Sequence, residues 1–134
     1  MIGIIVRQFK RNILVRLYTT PTSPYGRIVR IVRLEKKLNQ EIVLNFIKTR
    51  GDDNPYYKIN PSGRVPALVL EDQTVLEDSA LIAWYIDNYD NNPLLHPKEG
   101  VKSLESRRIE AMARSMLDGT SLWWREYLYR PKSM

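Results

Sequence analysis

The 134-residue sequence contains no cysteine and a single histidine. The missing cysteine excludes disulfides, thiolate metal sites, CxxC redox chemistry and a cysteine nucleophile of the protein's own. Any sulfur chemistry therefore has to arrive with a ligand. With His96 alone, neither a histidine metal cluster nor a Ser-His-Asp triad can be assembled. Its setting, Asn91-Asn-Pro-Leu-Leu-His-Pro97, reads as a solvated linker. Long apolar runs are also lacking: none approaches the roughly 18 residues that cross a bilayer, and Ile2 to Val6 is too short for a signal-peptide core before Arg7 interrupts it. The expected location is the cytoplasm.

Acidic residues are scarce in one region. Residues 1–40 carry nine Lys/Arg against one acidic residue and the remainder twelve against fourteen, so the net charge of +6 is local. On a helix starting near Pro24, Arg30, Arg33 and Lys37 fall on one side and Ile28, Ile31, Val32 and Leu38 on the other. The basic side reads as a solvated helix face. It lacks the interleaved aromatics on which nucleic-acid bases stack, so nucleic acid is not the expected partner. A hydrophobic share of 43% is enough to fill the core of one compact domain with an extra element attached.

Residues 1–12 mix a short apolar run with Arg7, Lys10 and Arg11 without a clear period and read as an N-terminal extension. Ile13-Leu-Val-Arg-Leu-Tyr18 reads as a first strand that runs into the turn Thr19-Thr-Pro-Thr-Ser-Pro24. Ser23-Pro24 starts a helix, because serine can accept from the first free N–H groups and proline at the first helical position loses nothing; the helix is expected to reach about Leu38. Glu41 to Ile47 forms a second strand. Lys48 to Lys58 is a polar loop with room for a short helix. Val65 to Leu70 and Thr74 to Leu76 have the spacing of a tight antiparallel hairpin. The apolar spacing from Asp78 to about Tyr89 predicts a buried amphipathic helix, with Asp78 or Ser79 as cap.

This order joins a parallel βαβ half to an antiparallel ββα half, which makes a four-stranded mixed thioredoxin-like sheet in an α/β fold. A linker over residues 91–100 leads to residues 101–134, where Val101 to about Leu128 reads as one long helix. Val101, Ile109, Met112, Met116, Trp123 and Tyr127 form a stripe that Leu117, Trp124 and Leu128 widen. A lone helix on a sheet cannot bury so much, so further helices or a second chain are expected to cover it.

Val65 and Pro66, at the entrance of the third strand, allow two readings. Proline at a strand entrance removes a donor, and an X-Pro bond is the peptide link that adopts cis without a large penalty. A cis turn would leave the main-chain groups of Val65 facing outward, able to hold an extended peptide ligand. An ordinary strand-entry proline would do neither.

Three segments taken together, Leu17-Tyr-Thr-Thr-Pro-Thr-Ser-Pro-Tyr-Gly-Arg27, Asn60-Pro-Ser-Gly-Arg-Val-Pro-Ala-Leu68 and Val75-Leu-Glu-Asp-Ser-Ala-Leu-Ile-Ala-Trp-Tyr85, closely resemble the glutathione S-transferases, particularly bacterial members. The resemblance covers about residues 13–130: a thioredoxin-like glutathione-binding domain over residues 13–90, the linker, and the first helix of an all-helical domain. Family members usually carry several more helices after the one ending near Leu128, so the resemblance implies an incomplete helical domain. It further implies a homodimer, glutathione as cosubstrate, no metal, and joining of the glutathione sulfur to a small electrophile or glutathione-dependent reduction.

By the same resemblance, Val65 ahead of a cis Pro66 pairs its main chain with the cysteinyl part of glutathione. Arg64 can reach the glycyl carboxylate. Asp78 and Ser79 match the acidic-Ser pair that grips the γ-glutamyl end, where Asp78 can meet an ammonium and Ser79 with the helix amides a carboxylate. Ser23 is the expected activating hydroxyl, ahead of Thr22, Thr20 and Tyr18. The alternative is a non-catalytic scaffold of this fold that docks a protein partner on the last helix.

Overall fold

The computed structural model describes residues 14–133. The expected N-terminal extension over residues 1–12 lies outside them. Two compact units divide between Asn92 and Pro93.

The first unit is a four-stranded sheet with two helices. Strands β1 (Val15–Thr19), β2 (Ile42–Phe46), β3 (Ala67–Val69) and β4 (Val75–Glu77) lie in the order β2-β1-β3-β4. β1 and β2 run parallel in the register Val15↔Ile42 to Thr19↔Phe46; β3 pairs antiparallel with both β1 and β4. Helix α1 (Pro24–Glu35) is the βαβ crossover, and α2 (Ser79–Asp87) follows the hairpin. The thioredoxin-like α/β arrangement expected from the element order is the one found.

Alternation along β1 puts Val15, Leu17 and Thr19 inward. Val15 and Leu17 join Val29 of α1, Leu38, Ile42 of β2, Leu68 of β3 and Ile82 and Ile86 of α2 in a single core cluster.

Two features of α1 differ from the helical-wheel reading. The helix ends at Glu35, three residues early, because Lys37 adopts φ 58°. The Leu38 N–H then donates to Arg33 O and the Lys37 N–H to Leu34 O, the paired bonds of a Schellman end. The basic side is also not simply solvated. Arg33 is buried, and its guanidinium donates from Nε to Ile42 O (2.6 Å) and from Nη2 to Asn39 O (3.0 Å). Burial pulls its pKa down, against a smaller opposing effect of Glu41. Ile31, placed on the apolar side, is exposed.

Lys36 is buried as well. Its Nζ lies 2.9 Å from Asp90 Oδ1 and 3.8 Å from the buried Asp87, and donates to Asn92 O at 3.2 Å. The lysine thus ties the end of α1 to the residues that follow α2.

The second unit contains helix α3 (Gly100–Tyr129). Glu105–Arg108, Glu110–Arg114 and Glu126–Arg130 pairs line its surface. His96 does not stand alone in solvent as expected; its Nε2 is 2.9 Å from Glu110 Oε2. The apolar stripe is exposed along its length, and Trp124 and Tyr127 stack at 5.6 Å between ring centroids. Among the described residues, no helix is long and apolar enough to cross a membrane.

Candidate functional site

Three segments meet at one end of the sheet. β1 ends at Thr19 and turns into α1. β3 runs the other way, with Ala67 opposite Tyr18, so the residues ahead of Ala67 lie beside the turn that starts α1. Ala67 also faces Glu77, the last residue of β4, which places Asp78 and the start of α2 on the other flank of the same strand entrance. Two helix N-termini and one strand entrance therefore share this end, and the positive ends of the two helix dipoles favour an anionic ligand there.

At the first N-terminus, Ser23 is the cap of α1. Its Oγ accepts from the Gly26 N–H at 3.0 Å, and its own N–H donates to Thr20 Oγ1 at 3.2 Å. The Ser23 hydroxyl proton has no acceptor among the described residues, and the side chain is half-buried. Gly26 is required by close approach: a Cβ there would lie 1.9 Å from Oγ1 of the fully buried Thr19. The glycine thus lets the first turn of α1 press against the end of β1 and sets the position of the cap. The other candidate hydroxyls are placed differently. Thr20 accepts from Ser23, Thr22 is exposed, and the Tyr18 ring packs 6.2 Å from that of Tyr56.

The strand entrance holds a cis bond between Val65 and Pro66. Sheet pairing begins only at Ala67, and the main chain of Val65 makes no hydrogen bond to another described residue. Val65 is half-buried and Pro66 buried, whereas Arg64 is exposed.

At the second N-terminus, Asp78 caps α2, with Oδ1 accepting from the N–H of Ala80 (2.8 Å) and Leu81 (3.2 Å). Asp78 sits at φ 77°, ψ 124°, a backbone region that residues with a Cβ rarely enter. Such outliers persist where the surroundings impose them, often at ligand clamps. Ser79 is buried.

Four supporting residues were not singled out by the sequence. The Tyr56 hydroxyl donates to Arg64 O (2.6 Å), and Asn60 Nδ2 donates to the same carbonyl (3.0 Å). The Arg64 N–H donates to Ser62 Oγ (3.2 Å), and Ser62 Oγ in turn donates to Glu77 Oε2 (2.6 Å). The Ser62 hydroxyl, then Asn60 and the Arg64 charge, hold the Glu77 carboxyl below the usual carboxylate range. Burial raises the Tyr56 phenol, with Asn60 opposing. Asn60 and Ser62 lie inside the second quoted segment and Glu77 inside the third, but nothing local says that their side chains converge on one backbone unit. Among the described residues, no group of three or more His, Cys, Asp or Glu could hold a metal ion.

Comparison with known proteins gives a consistent result. The family model described as glutathione S-transferase, N-terminal domain, matches residues 22–88. The uncharacterised GST-like protein YibF of Escherichia coli (strain K12) is 35% identical over 103 residues, covering 77% of this chain and 50% of YibF. Glutathione S-transferase 2 of Saccharomyces cerevisiae is 32% identical over 115 residues, covering 81% of this chain and 48% of that protein. Among solved structures, a glutathione S-transferase from Methylobacillus flagellatus with glutathione bound superposes with a TM-score of 0.81 at 31% identity, over 90% of this chain and 58% of that one. This chain spans about half the length of the curated relatives named here. On the match of its sheet domain, the chain belongs to the glutathione S-transferase family.

Proposed function

We propose that this chain binds glutathione at the shared end of the sheet and activates its thiol for attack on a small electrophile or for glutathione-dependent reduction. Bound glutathione in the Methylobacillus flagellatus relative supports the ligand. The observation that carries the reading is the Ser23 hydroxyl, which accepts from Gly26 and so keeps its proton for an outside acceptor, at the end of the sheet where the Val65 main chain pairs with no other described residue.

In this reading the cysteinyl residue of glutathione pairs with the main chain of Val65 at Pro66, and Arg64 meets the glycyl carboxylate. Asp78 meets the γ-glutamyl ammonium, and Ser79, through its hydroxyl and its own N–H, meets its carboxylate. A cysteine-like thiol ionises near pH 8.5, and a helix N-terminus with a hydroxyl donor favours the thiolate. The sulfur lone pair then forms a bond to the electrophilic carbon, and the leaving group departs with its electron pair.

Ser23→Ala tests the role. A hydrogen bond to a charged partner is worth about 1.5–3 kcal/mol, so turnover of a generic aryl halide is expected to fall roughly 10- to 150-fold. Glutathione affinity changes much less, because the donor matters most to the charged sulfur. Unchanged turnover removes Ser23 from the role.

A second reading, a protein-docking scaffold, is favoured by one observation: Trp123, Trp124 and Tyr127 of α3 are exposed together. Isothermal titration separates the two. Saturable glutathione binding with turnover supports the enzyme, whereas no binding at millimolar ligand supports the scaffold. A homodimer belongs to the enzyme reading, and the exposed Leu81 and Trp84 of α2 are consistent with it.

A further inference from the structure

We propose that Tyr56, Asn60, Ser62 and Glu77 form a positioning layer that fixes the main chain of Arg64, and through it the orientation in which Val65 offers its N–H and C=O to the ligand. This rests on the glutathione reading above.

Arg64 is exposed, yet both of its main-chain polar groups are tied down. Its carbonyl receives the Tyr56 hydroxyl and the Asn60 amide. Its N–H donates to Ser62 Oγ, whose hydroxyl in turn donates to Glu77 Oε2. The anchors come from three places: the 3₁₀ turn Pro55–Lys58, the turn that follows it, and the end of β4. Val65 lies outside the sheet pairing, so without these anchors the peptide unit ahead of it could pivot. Gly63 keeps the turn tight; it sits at φ +66°, and a Cβ there would fall 2.6 Å from Cε1 of Tyr57.

The Ser62–Glu77 bond is exposed, and an exposed bond of this kind adds little to folding. Its geometry points to another use. Glu77 immediately precedes Asp78, so the bond ties the segment that meets the cysteinyl residue to the segment that meets the γ-glutamyl end. The two halves of the cleft are thereby held at a fixed separation, and ordering that binding would otherwise require is already in place.

The test is isothermal titration of the wild type, Ser62→Ala, Glu77→Ala, Glu77→Gln and the Ser62→Ala/Glu77→Ala pair. Two ligands are used, glutathione and its thiol-free analogue γ-glutamyl-2-aminobutyryl-glycine. Each alanine variant is expected to weaken binding by about 3- to 10-fold, the cost of one hydrogen bond. The loss is the same for both ligands, because the layer acts on a main-chain grip and not on the sulfur. The double variant loses no more than the larger single loss, since both residues act along one path. Glu77→Gln, which retains an acceptor oxygen, recovers most of the affinity.

Wild-type affinity in both alanine variants overturns the inference and leaves the glutathione reading standing. Additive losses, or a loss seen only with the thiol-bearing ligand, also overturn it. No binding to the wild type at millimolar glutathione overturns the reading and the inference together. Both variant sites are exposed, so thermal melts close to wild type are expected, and a loss that merely tracks a lowered melting temperature counts against a positioning role.

Discussion

Replacing Gly26 with alanine sets two effects of opposite sign against each other. Within a helix the change ordinarily stabilises by about 0.5–1 kcal/mol, because glycine loses more backbone freedom on folding. Here the new methyl would sit 1.9 Å from Thr19 Oγ1 and 3.1 Å from Thr19 Cβ. Thr19 is fully buried and branched at Cβ, so it has few rotamers in which to retreat. Overpacking of this kind costs about 1–3 kcal/mol. Moving α1 outward instead lengthens the Gly26 to Ser23 bond, and a lost serine cap costs about 1 kcal/mol. The clash wins, with a net loss of about 0.5–2 kcal/mol. That corresponds to a fall in melting temperature of roughly 2–10 °C for a domain of this size.

Thermal and urea unfolding followed by far-UV circular dichroism measure the loss, with an unchanged urea slope showing that the unfolded state is not responsible. The same substitution in a Thr19→Ala background, where Oγ1 is gone, is expected to cost markedly less, which gives a double-mutant cycle with clear coupling. A Gly26→Ala variant that melts at or above the wild type refutes the reasoning about how β1 and α1 fit together.

Other outcomes follow from the same geometry. Lys37 holds a left-handed conformation that costs a non-glycine residue about 1–2 kcal/mol, so Lys37→Gly is expected to stabilise by about 0.5–1 kcal/mol in chemical denaturation. At Asp78 the cap and the backbone conformation separate: Asp78→Gly keeps stability near wild type because glycine accepts the positive φ, whereas Asp78→Ala loses about 1 kcal/mol, and in both the glutathione affinity falls when measured by titration. Lys36→Met leaves the buried Asp87 without this cation and is expected to cost about 3 kcal/mol in urea unfolding. Hydrogen bonding to Lys36 holds the Asp90 carboxyl below its ordinary range. Its contribution is therefore fully present above the usual aspartate range and is lost as pH falls through the lowered value, so Asp90→Asn should flatten the decline in melting temperature from about pH 6 to about pH 3.

The fold was legible because it is written in local signals. Ser23-Pro24 starts a helix, the run from Ile13 to Tyr18 ends in a turn and reads as a strand, and the short spacing between β3 and β4 makes a hairpin. Their order then fixes the sheet. Asp78 was legible as a cap for the same reason, since a cap acts on amides two and three residues away.

What could not be read depends on distant partners. Arg33 and Lys36 look like surface charges on a helical wheel. Each is buried because its long stem carries the charge to groups supplied by another segment, the carbonyls of Asn39 and Ile42 for Arg33, and Asp87, Asp90 and Asn92 for Lys36. The convergence of Tyr56, Asn60, Ser62 and Glu77 on Arg64 is invisible for the same reason: it spans residues 56–77 and exists only after the hairpin forms. The early end of α1 was missed because lysine is not the residue that usually takes a left-handed C-terminal position.

The central claim is that glutathione lies along the entrance of β3 between the two helix N-termini. Backbone amide shifts recorded by NMR during a glutathione titration of this chain test it most directly. The account predicts saturable shifts at Val65, at Ser79 with Ala80, and at Gly26 next to Ser23. Saturable shifts confined to α3, or none at millimolar glutathione, would contradict it.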